Sequence, residues 1–368
     1  MTDVKGSLSH PVAATMSAEI GAQMDECYRP AVSRLHQMNE SVTLEDVARL
    51  AGVTGMTVSR TLKRPELVRE ETRQRVMDAV RATGYVPNML AGALATNRSH
   101  LVALLLPTIA TSIFTDMVQS MMSTLAAAGY QTLLGLTDYR PEREEQLVET
   151  LLGRRPDAIV LTGTDHSPLT RERLSKTKVP IVEIWDLTED PIDILIGFSH
   201  EAVGRAVARH LLQKNYRRFA VLSADDPRGL RRSMSVIDEL QCQGVKDIPM
   251  EVMPAPATLQ TGREGFVRLL EKGLPDVIAC STDTLAQGIL AEAAKRSIRI
   301  PHDVAVMGFG DLSTAAHVHP PLSTVRIDGA SIGNLAADAL LSRLDAKQPS
   351  PPILRIDAGF EIVDRESA

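Results

Sequence analysis

The run Thr43-Leu44-Glu45-Asp46-Val47-Ala48-Arg49-Leu50-Ala51-Gly52-Val53-Thr54-Gly55-Met56-Thr57-Val58-Ser59-Arg60 has the residue types and spacing of a unit that reads a duplex. Thr43 can cap a first helix, with Asp46 three positions later as the reciprocal acid. Leu44, Val47, Ala48 and Ala51 then mark one face, and Gly52 ends the helix. Thr54 can cap a second helix over 55–62. Ala48 is small where two helices must approach, and Val53 and Val58 fill the shared core. A second helix held this way can lie in the major groove with its first residues against base edges. The chemistry implied is hydrogen bonding and apolar contact rather than bond making.

A search for catalysis returns nothing comparable. There is no Walker A loop, no G-x-S-x-G and no H-E-x-x-H. His317 and His319 stand two apart beside Pro320-Pro321, which is not helical ligand spacing, and they read as loop residues. Ser175 and Lys178 form an S-x-x-K by chance at a helix end or loop. Cys27, Cys242 and Cys280 are too far apart for a disulfide framework or a zinc module. No catalytic residue, metal site or cofactor is expected.

The elements around these residues fall into distinct stretches. Residues 1–41 show no sustained period beyond a possible short helix at 16–23, and read as a mobile extension. Residues 42–86 read as three short helices. The third runs over 70–83, with Val76, Ala79 and Val80 inward and Gly84 at its stop. Residues 87–99 form a small-residue hinge and linker, too short and glycine-containing to be helical alone. Residues 100–368 change style. Apolar strands at 101–106, 131–136, 158–161, 181–184, 194–196, 219–222, 277–280 and 304–308 alternate with helical stretches at 114–128, 142–152, 201–213, 233–243, 262–271 and 285–296. This alternation predicts two parallel sheets, whose ligands sit beyond the carboxyl ends of strands.

Composition agrees. The 368 residues are 44% hydrophobic and only 3% aromatic, so the cores are aliphatic. The net charge is −6, but residues 42–98 hold nine Lys/Arg against six Asp/Glu, a net +3, leaving −9 elsewhere. A small basic piece on an acidic body suggests a polyanion-binding module. No apolar run approaches the roughly 20 residues of a membrane span, and the first residues lack the apolar core of a secretory signal. The expected setting is cytoplasmic, with no membrane partner.

The helix-turn-helix segment resembles the DNA-binding headpiece of the lactose-repressor family. GYVPNMLAGALATNRS resembles that family's hinge. LPTIATSIFTDMVQSMM, AGYQTLLG, RRPDAIVLTGT, STDTLAQGIL, RIPHDVAVMGFGD and HPPLSTVRID resemble its body, so that residues 42–366 are covered. VTGMTVSR, YRPEREEQLVETLL, TGTDHSP and PIVEIWD resemble the gluconate-operon repressor branch. The implied fold is an all-α helix-turn-helix headpiece plus an α/β periplasmic-binding-protein-like core of two parallel-sheet lobes.

The resemblance also implies roles. The two residues after the Thr54 cap read bases in family members. Here they are Gly55, which has no side chain, and Met56, which offers only apolar contact, so readout leans on Arg60. Thr54, Thr57 and Ser59 are implied phosphate or cap contacts. Asn88 matches a hinge residue at the backbone, and Leu94 the leucine wedged into the minor groove. On the effector side, Thr111, Ile113, Phe114 and Met117 are implied lining residues. Glu183, Trp185 and Asp186 come from a strand end, Trp185 offering a sugar-stacking face. Arg228 and Arg232 come from the opposite lobe, followed by Thr282, Asp283 and Asp311. Three departures from the family pattern stand out: Gly310 precedes Asp311 where an acid is usual, Thr282 replaces Asn, and Ser235 replaces a glycine. The last leaves the ligand arginine open between Arg231 and Arg232.

The expectation is a homodimeric repressor of sugar-acid catabolism genes, released from a palindromic operator by a small-molecule sugar acid such as gluconate. The rivals are a regulator using its ligand as corepressor or answering a neutral sugar or 2-ketogluconate, and a sugar carrier or enzyme on the same fold.

Overall fold

Local stop signals cut the amino-terminal helices to length. In the computed structural model, which describes residues 42–86, 98–109, 112–345 and 352–368, helix α1 (Leu44–Ala51) starts at a complete Thr43–Asp46 capping box and ends on Gly52 in the left-handed region, φ 64°. Helix α2 (Gly55–Lys63) is capped by Thr54. Helix α3 (Glu70–Thr83) ends on Gly84, also left-handed. Val47, Ala48, Ala51, Val58, Val76 and Ala79 are buried together, with Leu44, Val53, Leu62, Val80 and Tyr85 packed around them. This small unit falls within residues 1–91, and the second compact unit within 92–368.

The larger unit has two parallel sheets. The first holds β1 (Leu101–Leu106), β2 (Gln131–Leu136), β3 (Ala158–Thr162), β4 (Ile181–Ile184), β5 (Ile194–Gly197) and β11 (Leu354–Asp357), in the order β11-β5-β4-β3-β1-β2. Its central strands are buried on both faces, as parallel sheets covered by helices must be. Helices α4 (Thr115–Ala127), α5 (Pro141–Gly153) and α6 (Pro168–Lys176) follow β1, β2 and β3. The second sheet holds β6 (Phe219–Ala224), β7 (Met250–Met253), β8 (Val277–Cys280) and β9 (Ala305–Met307), in the order β7-β6-β8-β9. With it belong α7 (His200–Gln213), α8 (Pro227–Cys242), α9 (Leu259–Glu271) and α10 (Asp283–Lys295).

The chain passes between the lobes three times. It leaves β5 to enter α7, which packs on α8. It returns from β10 (Thr324–Arg326) to α11 (Gly329–Asp345), which packs on α4. It crosses last from β11 to β12 (Glu361–Val363), which pairs antiparallel with β10.

The structure adds elements that the periodicity did not predict: α6, α11, β7 and β10 to β12. Helix α8 also begins six residues before its predicted start, because Asp226 accepts from the Gly229 N–H and Pro227 occupies the first turn.

Candidate functional site

Helix α2 is presented rather than buried. Thr54 accepts from the Thr57 N–H at 3.3 Å, and the two hydroxyls lie 3.0 Å apart, so this pair shapes the helix start. At Gly55 a Cβ would stand 2.8 Å from both Leu44 Cδ2 and Glu45 Oε1, so the absence of a side chain brings α2 close against α1. Val58 is buried, whereas Met56 is 74% exposed and Arg60 is exposed. Thr57 and Ser59 are half-buried.

Among the described residues, some cations of this unit are paired and others are not, Arg69 and Arg75 at α3 being among the unpaired. Arg49, Arg73 and Arg81 pair with Asp46, Glu70 and Asp78 one turn away. Arg60 and Lys63 on α2 and Arg64 just after it have no ion-pair partner among the described residues. Free guanidinium and ammonium groups on one helix are what a phosphate backbone neutralises. Asn88 and Leu94 lie outside the described residues.

In the larger unit a narrow cleft lies between the two lobes, with a cavity volume of about 50 Å³. Ile113, Phe114, Tyr139 and Trp185 line it from the first lobe, and Asp226, Arg228, Arg232, Thr282 and Phe309 from the second, with His200 at the crossover. Six sequence-predicted residues therefore meet here: Ile113, Phe114, Trp185, Arg228, Arg232 and Thr282.

Arg232 has an unusual environment. Its side chain is buried, and its guanidinium lies 3.7 Å from the centre of the Phe309 ring. Nη2 donates to the Ser281 carbonyl at 2.7 Å, Nη1 lies 2.9 Å from His200 Nδ1, and Nε has no partner. Burial pulls its pKa down to about 10, and no carboxylate pairs with it among the described residues. Close packing of α7 on α8 fixes its backbone: a Cβ at Gly204 would stand 2.4 Å from the Arg232 carbonyl oxygen.

His200 holds the two walls in register. Its Nε2 lies 3.0 Å from the Trp185 carbonyl oxygen and its Nδ1 faces Arg232. Burial and the cations Arg232, Arg228 and Arg231 push its pKa well below the ordinary value. The neutral ring then donates through Nε2 to Trp185 and accepts through Nδ1 from Arg232. Trp185 is itself in the left-handed region at φ 67°, a strained conformation for a bulky residue. Its indole packs edge-on against Phe114 and Phe198, at 5.1 and 5.7 Å between ring centres. Arg228 reaches across to the first lobe, toward the Phe114 ring and against Gly163, where a Cβ would stand 2.8 Å from its Nη1.

Five expected effector contacts lie elsewhere, each held by protein groups. Met117 is buried in the core beneath α11. Glu183 points off the other face of its strand, accepting from the Ile192 N–H at 2.6 Å with His166 3.4 Å away. Asp186 accepts from Leu187 N–H and binds Arg231 across the lobes, with Asp165 3.6 Å from the same guanidinium. That pairing separates the two arginines left open by sequence: Arg231 is neutralised and Arg232 is not. Asp283 accepts from Thr324 Oγ1 and the Leu312 N–H at 2.6 and 2.8 Å, and burial raises its pKa to about 6. Asp311 is clasped by Arg326 and Arg365, each at 2.7 Å. Thr111 lies outside the described residues.

Sequence reasoning missed Tyr139, His200, Asp226 and Phe309. Asp226 carried a signal, an acid before proline at a helix start. The others follow strand ends, where position matters more than type.

The model for bacterial regulatory proteins of the lacI family matches residues 43–88, and that for a periplasmic binding protein-like domain matches residues 208–368. The HTH-type transcriptional regulator GntR of Pseudomonas aeruginosa is 37% identical over 88% of this chain and 95% of its own. The chain belongs to the LacI family. Two solved structures agree in fold. A LacI-family transcriptional regulator from Silicibacter pomeroyi has a TM-score of 0.82 and 32% identity, covering 89% of this chain and 99% of that one. The transcription regulator GntR from Chromobacterium violaceum has a TM-score of 0.68 and 35% identity, covering 73% and 98%. As a LacI-family member the chain is a DNA-binding transcriptional regulator, and these relatives are regulators rather than enzymes. The matched LacI segment contains all of α1 to α3. Among the described residues no helix is long and apolar enough to cross a membrane.

Proposed function

We propose that this LacI-family regulator is a cytoplasmic, homodimeric repressor of sugar-acid catabolism genes, released from a palindromic operator by an aldonate such as gluconate. Each α2 lies in a major groove, with Arg60 at a guanine, Met56 against a thymine methyl, and Thr54, Thr57 and Ser59 at the cap and phosphates. Asn88 contacts the backbone in the hinge, and Leu94 wedges the operator centre. Replacing Leu94 by Ala then reduces the bend angle in a phasing assay.

The observation that carries the effector reading is Arg232, a buried guanidinium lining the cleft with no carboxylate ion-paired to it among the described residues. A buried cation favours an anion, and guanidinium and carboxylate suit each other geometrically. Asp226, Tyr139 and Thr282 supply partners for hydroxyls.

Dimerisation is assigned to the face of α4 and edge strand β2. There Ile109, Met122, Leu133 and Leu134 are exposed, and Val118, Met122, Ala126 and Leu134 line a groove. The occupant is a second copy of this chain, since one headpiece reads only a half-site.

Calorimetry of the full-length protein with gluconate, 2-ketogluconate, idonate and neutral hexoses tests the reading, alongside gel shifts. Gluconate is expected to bind and to weaken operator affinity. A ~100-fold loss corresponds to about 2.7 kcal/mol of coupling between the sites. Tightening of the operator complex would make the ligand a corepressor, and a response confined to neutral hexoses would reject the sugar-acid assignment.

A further inference from the structure

We propose that Trp185 is a specificity-determining residue, whose indole N–H joins Arg232 Nε in donating to the carboxylate of the effector. This rests on the reading of the cleft as the effector site and names the ligand group recognised there.

Among the described residues, a handful of buried polar side-chain atoms have no hydrogen-bond partner, and only two of them belong to residues lining the cleft: Trp185 Nε1 and Arg232 Nε. Both are donors. Neither can accept, so the ligand group that completes them must bring acceptor oxygens. A carboxylate brings two and no donor of its own. The donors come from opposite lobes, Trp185 following β4 and Arg232 on α8. One carboxylate accepting from both would tie the lobes together, so that recognition and closure become one event.

The indole is held for this task. The Trp185 backbone N–H donates to Ile196 O at 3.1 Å, and its carbonyl oxygen accepts from His200 at 3.0 Å. These bonds secure the left-handed backbone, while Phe114 and Phe198 fix the ring. The same His200 accepts from Arg232 Nη1, so one imidazole links the Trp185 backbone to the Arg232 guanidinium. Asp226, at the start of α8, also lines the cleft and supplies an acceptor for a ligand hydroxyl.

The test uses the full-length protein and two probes on one carbon chain, gluconate and glucitol, in which an alcohol replaces the carboxylate. Calorimetry gives the preference for gluconate over glucitol. Trp185→Phe keeps an aromatic ring and removes the N–H, and is expected to shrink that preference about tenfold. The chain has a single Trp, so biosynthetic replacement of tryptophan by its sulfur isostere deletes the same N–H while keeping both rings. It is expected to give the same loss. If wild-type protein prefers gluconate and both altered proteins keep that preference, this inference alone is overturned. If wild type binds the two probes equally, the carboxylate assignment is overturned. If it binds neither, the effector reading fails and this inference falls with it.

Discussion

Arg60 and Arg232 both lack a carboxylate ion-pair partner among the described residues, and they do so in opposite surroundings. Arg60 stands exposed on α2, where water solvates it and an unpaired charge costs almost nothing. Arg232 is buried against Phe309, where an unpaired charge is costly and the pKa falls to about 10. The headpiece therefore offers its cations to any polyanion and gains selectivity only from base edges. The body buries Arg232 in a cleft that Arg228 also lines, out of reach of a long polyanion. On the proposed function, the same side chain gives salt-sensitive affinity in one place and shape-limited recognition in the other.

The largest expected effect is at the buried member. Arg232→Ala weakens gluconate binding by about 100-fold or more by calorimetry, about 2.7 kcal/mol, and the operator complex no longer dissociates on adding gluconate in a gel shift. A normal response would remove Arg232 as the anion's partner and dissolve the contrast. Arg60→Ala comes next. It costs about 1–3 kcal/mol on the specific operator and little on random DNA, and equal losses on both would reduce Arg60 to a phosphate contact. Salt sharpens the difference further. From about 50 mM to about 200 mM, operator affinity falls steeply while gluconate affinity changes little.

The smallest effect concerns a buried cation that is paired. His166 is 1% exposed in its side chain, with Glu144 at 2.8 Å and Glu183 at 3.4 Å. Burial opposes its charge, but the two carboxylates outweigh burial and raise its pKa to about 9. A raised folded-state pKa stabilises fully below the ordinary value of 6.5 and is lost as pH rises through about 9. Denaturation midpoints should fall across that window in wild type and stay flatter in His166→Gln.

Much of the fold was legible because its signals are local. Thr43, Gly52, Thr54 and Gly84 punctuate the headpiece, and unbroken apolar runs mark the central strands. Helix α11 escaped because its sequence, GASIGNLAADALLSRLD, is rich in small residues that hide the period. Those residues exist for packing: at Gly333 a Cβ would stand 2.4 Å from the Met117 carbonyl oxygen on α4. Strand β7 escaped because, as a half-exposed sheet edge, it has no continuous apolar run.

The cleft was less legible for a different reason. Acidic residues at strand ends look alike in sequence, whether they face a ligand or bind the protein's own donors. Asp186, Asp283 and Asp311 all do the latter. Type and position placed Arg232 at the cleft, but only its neighbours separated it from Arg231.

The pairing of Arg231 with Asp186 also has a kinetic consequence. It joins the two lobes whose walls form the cleft, so their separation waits on rupture of that contact. Uptake should therefore be gated, slower than diffusion would set, and quickened by Asp186→Asn in stopped-flow traces of the lone indole.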